Sequence, residues 1–249
     1  MSPREVILAL DFNGVLWDTA GECYQMAARA YARLYRPLDR DLEEPFRAGR
    51  WLARTGGEFL LLLQLPLENP GLDMSTFPKE QFARLVRERA AAIRAFEPEF
   101  YRQRDLARTN EREAWLAMQR PYPEILSEWP ALRQAFGEVV LCTTKDQASA
   151  RELLASAGLE LPILGREFAV DKARQMEHLA ETRGVPTARI LLLDDLLDNL
   201  LPVLAVGSRA ALATWGYNTP AERQEAARRG IPLIRAGQVL EGLQAALNP

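Results

Sequence analysis

The sequence predicts an α/β protein, a doubly wound parallel sheet interrupted by an inserted all-helical cap. Three observations carry this. Short apolar runs recur at residues 6–10, 139–142, 190–193, about 210–214 and about 231–234, each bounded by polar or turn residues, as parallel strands buried on both faces require. Helical patterns alternate with these runs after residue 119, and strand–helix–strand repeats fold into a doubly wound sheet. Residues 17–118 instead show helical spacing with no alternating strand. The core is therefore assigned to residues 1–16 and 119–249, and the cap to residues 17–118. A chain of 249 residues is long enough for a full hydrophobic core with such an insertion.

Taken in order, the first apolar run lies in "VILALDFNGVLWDT", ends on Asp11, and is followed by Asn13 and Gly14. The insertion holds "GECYQMAARAYARLY", "GGEFLLLLQL" and a long polar helical stretch beginning "KEQFARLVRERAAAIRAFEPEF", which Pro98 is expected to break or kink. An insertion after the first strand would sit above the strand ends where Asp11 emerges, the position of a lid. Within it, "RWLARTGGEF" offers Arg50, Arg54 and a Gly56–Gly57 bend that could face a substrate, against the plainer account of a helix–loop–helix with solvated arginines. The strand "VVLC" is followed by Thr143, Thr144 and Lys145, the last expected to face solvent. In "KDQASARELLASAG", Leu153, Leu154 and Ala157 share a face and Gly158 is the stop. In "DKARQMEHLAETRGVP", Asp171 is the expected N-cap, Gly184 the C-cap, and Pro186 follows. The run "ILLL" then delivers Asp194, Asp195 and Asp198. There is no internal repeat and no low-complexity tract.

Composition narrows the function. With 48% hydrophobic and 26% charged residues and a formal net charge of -3, the chain carries no general electrostatic signal for nucleic acid. No apolar stretch approaches the roughly 20 residues needed to cross a bilayer. The start "MSPREV" mixes acid and base beside a short apolar run, unlike a signal peptide. Cys23 and Cys142 lie far apart, and Cys142 ends a buried strand, so two reduced thiols and a cytoplasmic protein are expected. The single histidine, His178, lies on a largely polar helix and is expected to be exposed; its solitude excludes a zinc site of several histidines.

The chemistry collects at strand ends. Asp11 stands where an open parallel sheet places its ligand crevice. Thr143 and Thr144 could hold phosphoryl oxygens with hydroxyl and backbone N–H groups, or merely cap the following helix. Lys172 opens a helix and could balance charge on both a carboxylate and a phosphate. The chain has only three lysines among its 31 basic residues, which makes one at this point notable. Adjacent carboxylates at 194 and 195 repel each other and call for a cation or a dense set of donors, and a hard divalent ion such as Mg²⁺ is the simplest answer. Asp-x-Asn-Gly on its own is also an ordinary Asx turn.

Together these residues resemble the haloacid dehalogenase superfamily, in particular its capped, Mg²⁺-dependent phosphohydrolases. "DFNGVLWDT" is similar to the first motif, "LCTTK" to the Ser/Thr motif, Lys172 to the lysine, and "LLLDDLLDN" to the acidic motif, in that order along the chain. The resemblance covers the two core halves, and the helical insertion lies where this family puts a cap of its first class. It implies Asp11 as nucleophile, Thr143 and Thr144 as substrate-binding residues, and Lys172 as the charge-balancing residue. It also implies a Mg²⁺ site of Asp11, the Asn13 carbonyl and Asp195, with Asp194 as the alternative ligand and Asp198 or Asn199 orienting them from behind. The implied partner is a small phosphorylated molecule, with no nucleic acid and no membrane; the oligomeric state is not readable.

Asn13 departs from the pattern. In family phosphatases that position is an aspartate that protonates the leaving group and then activates water. An amide keeps its backbone carbonyl but has no usable proton-transfer pKa, so turnover is expected to fall by about 10²–10⁴. Three explanations stand: an engineered substitution that traps a complex, an enzyme whose leaving group needs no acid, and a binding or regulatory protein that keeps the pocket without turnover. A phosphonate-cleaving branch also lacks that aspartate, but it needs a cap lysine, and the insertion offers only Lys79. The dehalogenase branch needs no metal and leaves the acidic cluster without a purpose.

Overall fold

The computed structural model describes residues 2–247; residue 1 and residues 248–249, the outer bounds of the assigned core, lie outside them. The chain divides into two compact units, Met1–Asp18 with Pro121–Pro249, and Thr19–Arg120.

The first unit is built on a six-stranded parallel sheet. Its strands are β1 (Ile7–Leu10), β4 (Glu138–Cys142), β5 (Ile163–Leu164), β6 (Ile190–Asp194), β7 (Arg209–Ala213) and β8 (Leu233–Ile234), in the order β5-β4-β1-β6-β7-β8. The two remaining strands, β2 (Trp17–Asp18) and β3 (Arg120–Pro121), form a separate two-stranded sheet at the points where the chain passes between units. Every residue of β1 and β6 is buried, which is why Ile7–Leu10 and Ile190–Leu193 read as unbroken apolar runs. A parallel strand needs a crossover, and the helices Gln147–Ser156, Lys172–Arg183, Leu197–Ala205 and Pro220–Arg228 supply them. Ile7, Ala9, Val140, Leu192 and Leu212 from the sheet pack with Met176, Leu179, Leu200 and Val203 from the helices in one continuous apolar cluster.

Local signals set the helix ends. Asp171 caps Lys172–Arg183 by accepting from the N–H groups of Ala173 (2.8 Å) and Arg174 (3.3 Å), and Gly184 ends it in the left-handed conformation at φ 63°. The helix after β4 is capped by Asp146, which accepts from Ser149 N–H at 2.8 Å, and not by Thr143 or Thr144. Ala157 is exposed rather than sharing the buried face of Leu153 and Leu154, because the helix ends at Ser156. Strand β5 had no counterpart among the predicted apolar runs. It is two half-buried residues at the sheet edge, too short to show a period.

The second unit is helical, with helices Ala20–Leu34, Glu43–Ala48, Phe59–Glu68, Lys79–Glu88, Ala90–Asn110 and Arg112–Ala117. An aromatic chain runs through its core: Tyr24 to Phe46 (5.6 Å between centroids), Phe46 to Phe59 (5.4 Å) and Phe59 to Phe100 (5.1 Å). Of the break or kink expected at Pro98, the break does not occur, since helix Ala90–Asn110 runs through it. Both Arg94 and Pro98 are exposed, so water can satisfy the carbonyl that a proline ring leaves without its N–H partner. Arg50 is buried rather than solvated: its Nη1 donates to the Ala53 carbonyl at 2.5 Å and its guanidinium lies 5.0 Å from the Phe59 ring centroid. Arg54 is half-buried. Among the described residues no helix is long and apolar enough to cross a membrane. Cys23 and Cys142 are both buried and neither forms a disulfide, and burial pushes the Cys142 thiol up to about 12.

Candidate active site

The site is a consequence of register. Leu10 of β1 pairs with Leu141 of β4 on one side and with Leu193 of β6 on the other. The next residue along each strand is therefore carried to the same edge of the sheet: Asp11, Cys142 and Asp194. Asp11 N–H still donates to the Leu193 carbonyl at 3.0 Å, so the ladder holds the backbone of Asp11 while its side chain leaves the sheet. Because β1 lies between β4 and β6, the crossovers on its two sides run to opposite halves of the sheet, and the carboxyl end of β1 is the topological switch point.

After Asp11 the chain turns sharply. The Phe12 carbonyl accepts from the N–H groups of Leu16 and Trp17, each at 2.9 Å, and Gly14 N–H donates to the Trp17 carbonyl at 2.8 Å. Gly14 sits at φ 85°, where an L side chain is strained, and a Cβ there would fall on the Asp195 carboxylate. Phe12 and Trp17 stack at 4.9 Å across this turn with their rings nearly parallel. Asn13 is held at its tip, buried to 8% exposure.

Three carboxylates and an ammonium meet at this edge. One ligand atom from each of Asp11, Asp194 and Asp195 lies within 4.8 Å of the others, and all three residues are buried. Lys172, the first residue of its helix, donates to Asp11 Oδ1 at 2.6 Å, lies 3.3 Å from Asp194 Oδ2, and also donates to the Cys142 carbonyl. Burial, opposed in part by the Lys172 ammonium and reinforced by Asp194, pushes the Asp11 carboxyl above its ordinary value. Burial alone would lower Lys172, but the Asp11 and Asp194 carboxylates outweigh it and hold the ammonium above its ordinary value. Asp11 and Asp194 share the Lys172 ammonium and Asp195 lies beside them, and the oxygen donors of the three suit a hard divalent cation. The residues present fit Mg²⁺.

The remaining residues singled out in the sequence are distributed as follows. Thr143 is buried at the end of β4, and its Oγ1 accepts from Lys145 N–H at 3.1 Å, which leaves the hydroxyl proton to be donated elsewhere. Thr144 is half-buried. Lys145 does not face solvent: it is 1% exposed, with Nζ 5.8 Å from the Phe12 ring centroid. Asn199 reaches the cluster, its Nδ2 lying 3.0 and 3.1 Å from the two Asp194 oxygens, and Asp198 is half-buried. His178 is half-buried against Phe168, with ring centroids 4.2 Å apart, because the loop before its helix folds back over it.

Two contributors were not found in the sequence. Gln175, one turn beyond Lys172, donates through Nε2 to the carbonyls of Thr143 (3.1 Å), Leu164 (3.2 Å) and Ala169 (2.7 Å), tying the Lys172 helix to the ends of β4 and β5. Its spacing of three from Lys172 was the available signal. Tyr217 N–H donates to Asp195 Oδ2 at 2.6 Å from the loop after β7. A backbone donor leaves no mark in side-chain chemistry.

No family model matches the chain. A curated relative, a phosphoglycolate phosphatase from Neisseria gonorrhoeae, is 30% identical over 104 residues, which covers 39% of this chain and 44% of that protein; the chain thus matches under half of the relative's length. Solved structures match over nearly the whole chain. A Lactobacillus delbrueckii subsp. bulgaricus protein carrying a phosphoglycolate phosphatase assignment superposes with a TM-score of 0.67 at 14% identity over 100% of both chains. A haloacid dehalogenase-like family hydrolase from Streptococcus pneumoniae gives 0.56 at 16% identity over 96% of this chain and 97% of that one. A hydrolase from Pseudomonas syringae gives 0.59 at 16% identity over 96% of each. The fold of this chain is that of the haloacid dehalogenase-like hydrolases.

Proposed function

We propose that the protein is a Mg²⁺-dependent phosphohydrolase acting on a small phosphorylated substrate through a phosphoaspartate on Asp11, with its acid–base step weakened by Asn13. The observation that carries this reading is the 2.6 Å contact of Lys172 with Asp11, beside Asp194 and Asp195, at the carboxyl ends of adjacent parallel strands. Asp11, the Asn13 carbonyl, and Asp195 or Asp194 would hold the cation, which when bound would offset negative charge on the phosphoryl oxygens.

The chain's own groups supply the rest. An Asp11 carboxylate oxygen attacks phosphorus, the bond to the leaving oxygen breaks, and that oxygen departs with the electron pair. Lys172 tempers charge on the nucleophile and on the phosphoryl group together. Thr143, whose oxygen already accepts from Lys145 N–H, turns its own O–H toward a phosphoryl oxygen, with Thr144 beside it. Neither the leaving oxygen nor the water that later attacks the phosphoaspartate finds a proton-transfer group at residue 13. The first step therefore favours leaving groups that need no proton, such as aryl or acyl phosphates, and the second step is slow.

The helical unit is proposed to act as a substrate-selecting lid, and the likeness to a phosphoglycolate phosphatase favours a small phosphate ester. A formal net charge of -3 and two buried cysteines outside any disulfide fit action on a small molecule in a reducing, cytoplasmic setting. The test is a phosphatase screen with Mg²⁺ on this chain and on Asn13→Asp. Hydrolysis that depends on Mg²⁺ and rises in the variant supports the enzyme. Ligand binding with no hydrolysis in either chain supports a non-catalytic phospholigand-binding protein, the alternative that Asn13 leaves open.

A further inference from the structure

We propose that Asn218, oriented by Arg223, is a positioning residue that sets the divalent-cation affinity of the site by holding the 214–218 loop against Asp195. The inference rests on the metal reading above and extends it to residues outside the four strand-end elements.

The loop is anchored at both ends. At its start, Thr214 N–H and Oγ1 both donate to the Ile234 carbonyl, at 3.0 and 2.9 Å, continuing the β7–β8 ladder. At its end, Thr219 and Glu222 form a reciprocal capping box on helix Pro220–Arg228. Between the anchors, Asn218 is 6% exposed and its Nδ2 donates to the backbone carbonyls of Asp195 (3.0 Å) and Ala213 (2.7 Å). Arg223 Nη1 donates to Asn218 Oδ1 at 2.9 Å and to the Asn218 carbonyl at 3.2 Å. A guanidinium has only donors, so its contact fixes which end of the amide is oxygen and turns Nδ2 toward Asp195.

This brace reaches the carboxylate by two routes. The Asn218 side chain holds the Asp195 backbone, and the adjoining Tyr217 N–H holds Asp195 Oδ2 at 2.6 Å. The Asp195 side chain is further confined on two sides by glycines, because a Cβ on either Gly14 or Gly216 would fall on it. Trp215 Nε1 donates to the Val15 carbonyl at 3.1 Å, which ties the same loop to the turn that carries Asn13. A carboxylate gripped at backbone and side chain is presented to a cation at little ordering cost, whereas a loosened one must be ordered when the cation binds.

The experiment measures Mn²⁺ affinity by electron paramagnetic resonance, with Mg²⁺ competition, alongside thermal unfolding in chelator. Wild-type protein is expected to bind one Mn²⁺ that Mg²⁺ displaces. Asn218→Ala is expected to weaken that binding by roughly 10–100-fold, the usual effect of removing a group that orients a metal ligand. Arg223→Gln should act in the same direction by less. A folded Asn218→Ala with wild-type Mn²⁺ affinity overturns the proposal. Where Asn218→Ala fails to fold, unaltered affinity in Arg223→Gln does so. Failure of the wild-type chain to bind Mn²⁺ at all overturns the metal reading itself, and the proposal with it, a result distinct from binding that ignores residue 218.

Discussion

Each unit buries charge, and the two do so in opposite ways. In the helical unit, Glu22 and Arg104 form a bidentate pair: Arg104 Nε and Nη2 meet the two Glu22 oxygens at 2.7 and 2.8 Å, and Trp115 Nε1 adds a third donor at 3.3 Å. The guanidinium also lies 4.6 Å from the Phe100 ring centroid. One acid meets one base and the charges cancel. At the strand ends, Asp11 and Asp194 share Lys172 and Asp195 lies beside them, and even with the buried Lys145 included the acids outnumber the bases. Buried charge that balances within the chain is architecture. Buried charge in excess, at a topological switch point, is a place for a ligand, since desolvation and repulsion there are offset only when something positive arrives.

Substitutions separate the two. Asp11→Asn is expected to abolish Mg²⁺-dependent phosphate release, by at least about 10⁴-fold, because it removes the proposed nucleophile. The same change should raise the Tm in chelator by relieving carboxylate crowding; phosphate release that survives it excludes Asp11 as nucleophile. Glu22→Ala should do the reverse, lowering stability by about 3–5 kcal/mol by leaving a buried guanidinium uncompensated. Its Mg²⁺-dependent Tm shift should match that of the wild type, and a lost shift would break the distinction between the two clusters. Thermal unfolding with and without Mg²⁺ gives the third comparison. At a hundredfold excess over Kd a bound ion adds about 2.7 kcal/mol. Asp195→Ala should abolish that gain, and a shift that persists in both Asp195→Ala and Asp194→Ala removes the metal site.

The smallest effect belongs to exposed pairs. The Arg29 side chain, hydrogen-bonded to Glu111, holds that carboxyl below its ordinary value. A depressed carboxyl contributes stability that is present above its unfolded value and is lost as the pH falls through its native value. Glu111→Gln should therefore cost a little at neutral pH and low salt, and nothing in acid or at high salt. An equal loss at every pH and salt concentration would show that packing, not charge, holds the contact.

The fold was legible where burial leaves a composition signal. Val6–Leu10 and Ile190–Leu193 are buried on both faces and contain only apolar residues, so β1 and β6 could be read directly. Strand β5 could not, because two half-buried residues have no pattern. The residues gathered at the strand ends were legible because acids and a lysine next to apolar runs are conspicuous. What surrounds them was less so. Lys145 follows two threonines in a loop and reads as solvated, but it folds back beside Phe12. Arg50 reads as surface charge, but it covers Phe59. In both, a long aliphatic stem lets a charged residue pack as an apolar one, and the sequence records only the charge. Tyr217 and Asn218 act through a backbone N–H and backbone carbonyls about twenty residues from Asp195, a relation set by the β7 crossover alone.

The most direct test of the central claim follows the time course of leaving-group release from an aryl phosphate with Mg²⁺, in this chain and in Asn13→Asp. The account predicts a burst near one equivalent of enzyme followed by slow turnover, because phosphorylation of Asp11 needs little acid while its hydrolysis lacks a base. It also predicts loss of the burst in Asp11→Ala, and a steady-state rate about 10²–10⁴-fold higher in Asn13→Asp. No burst in this chain, and no gain in Asn13→Asp with good or poor leaving groups, would contradict the account.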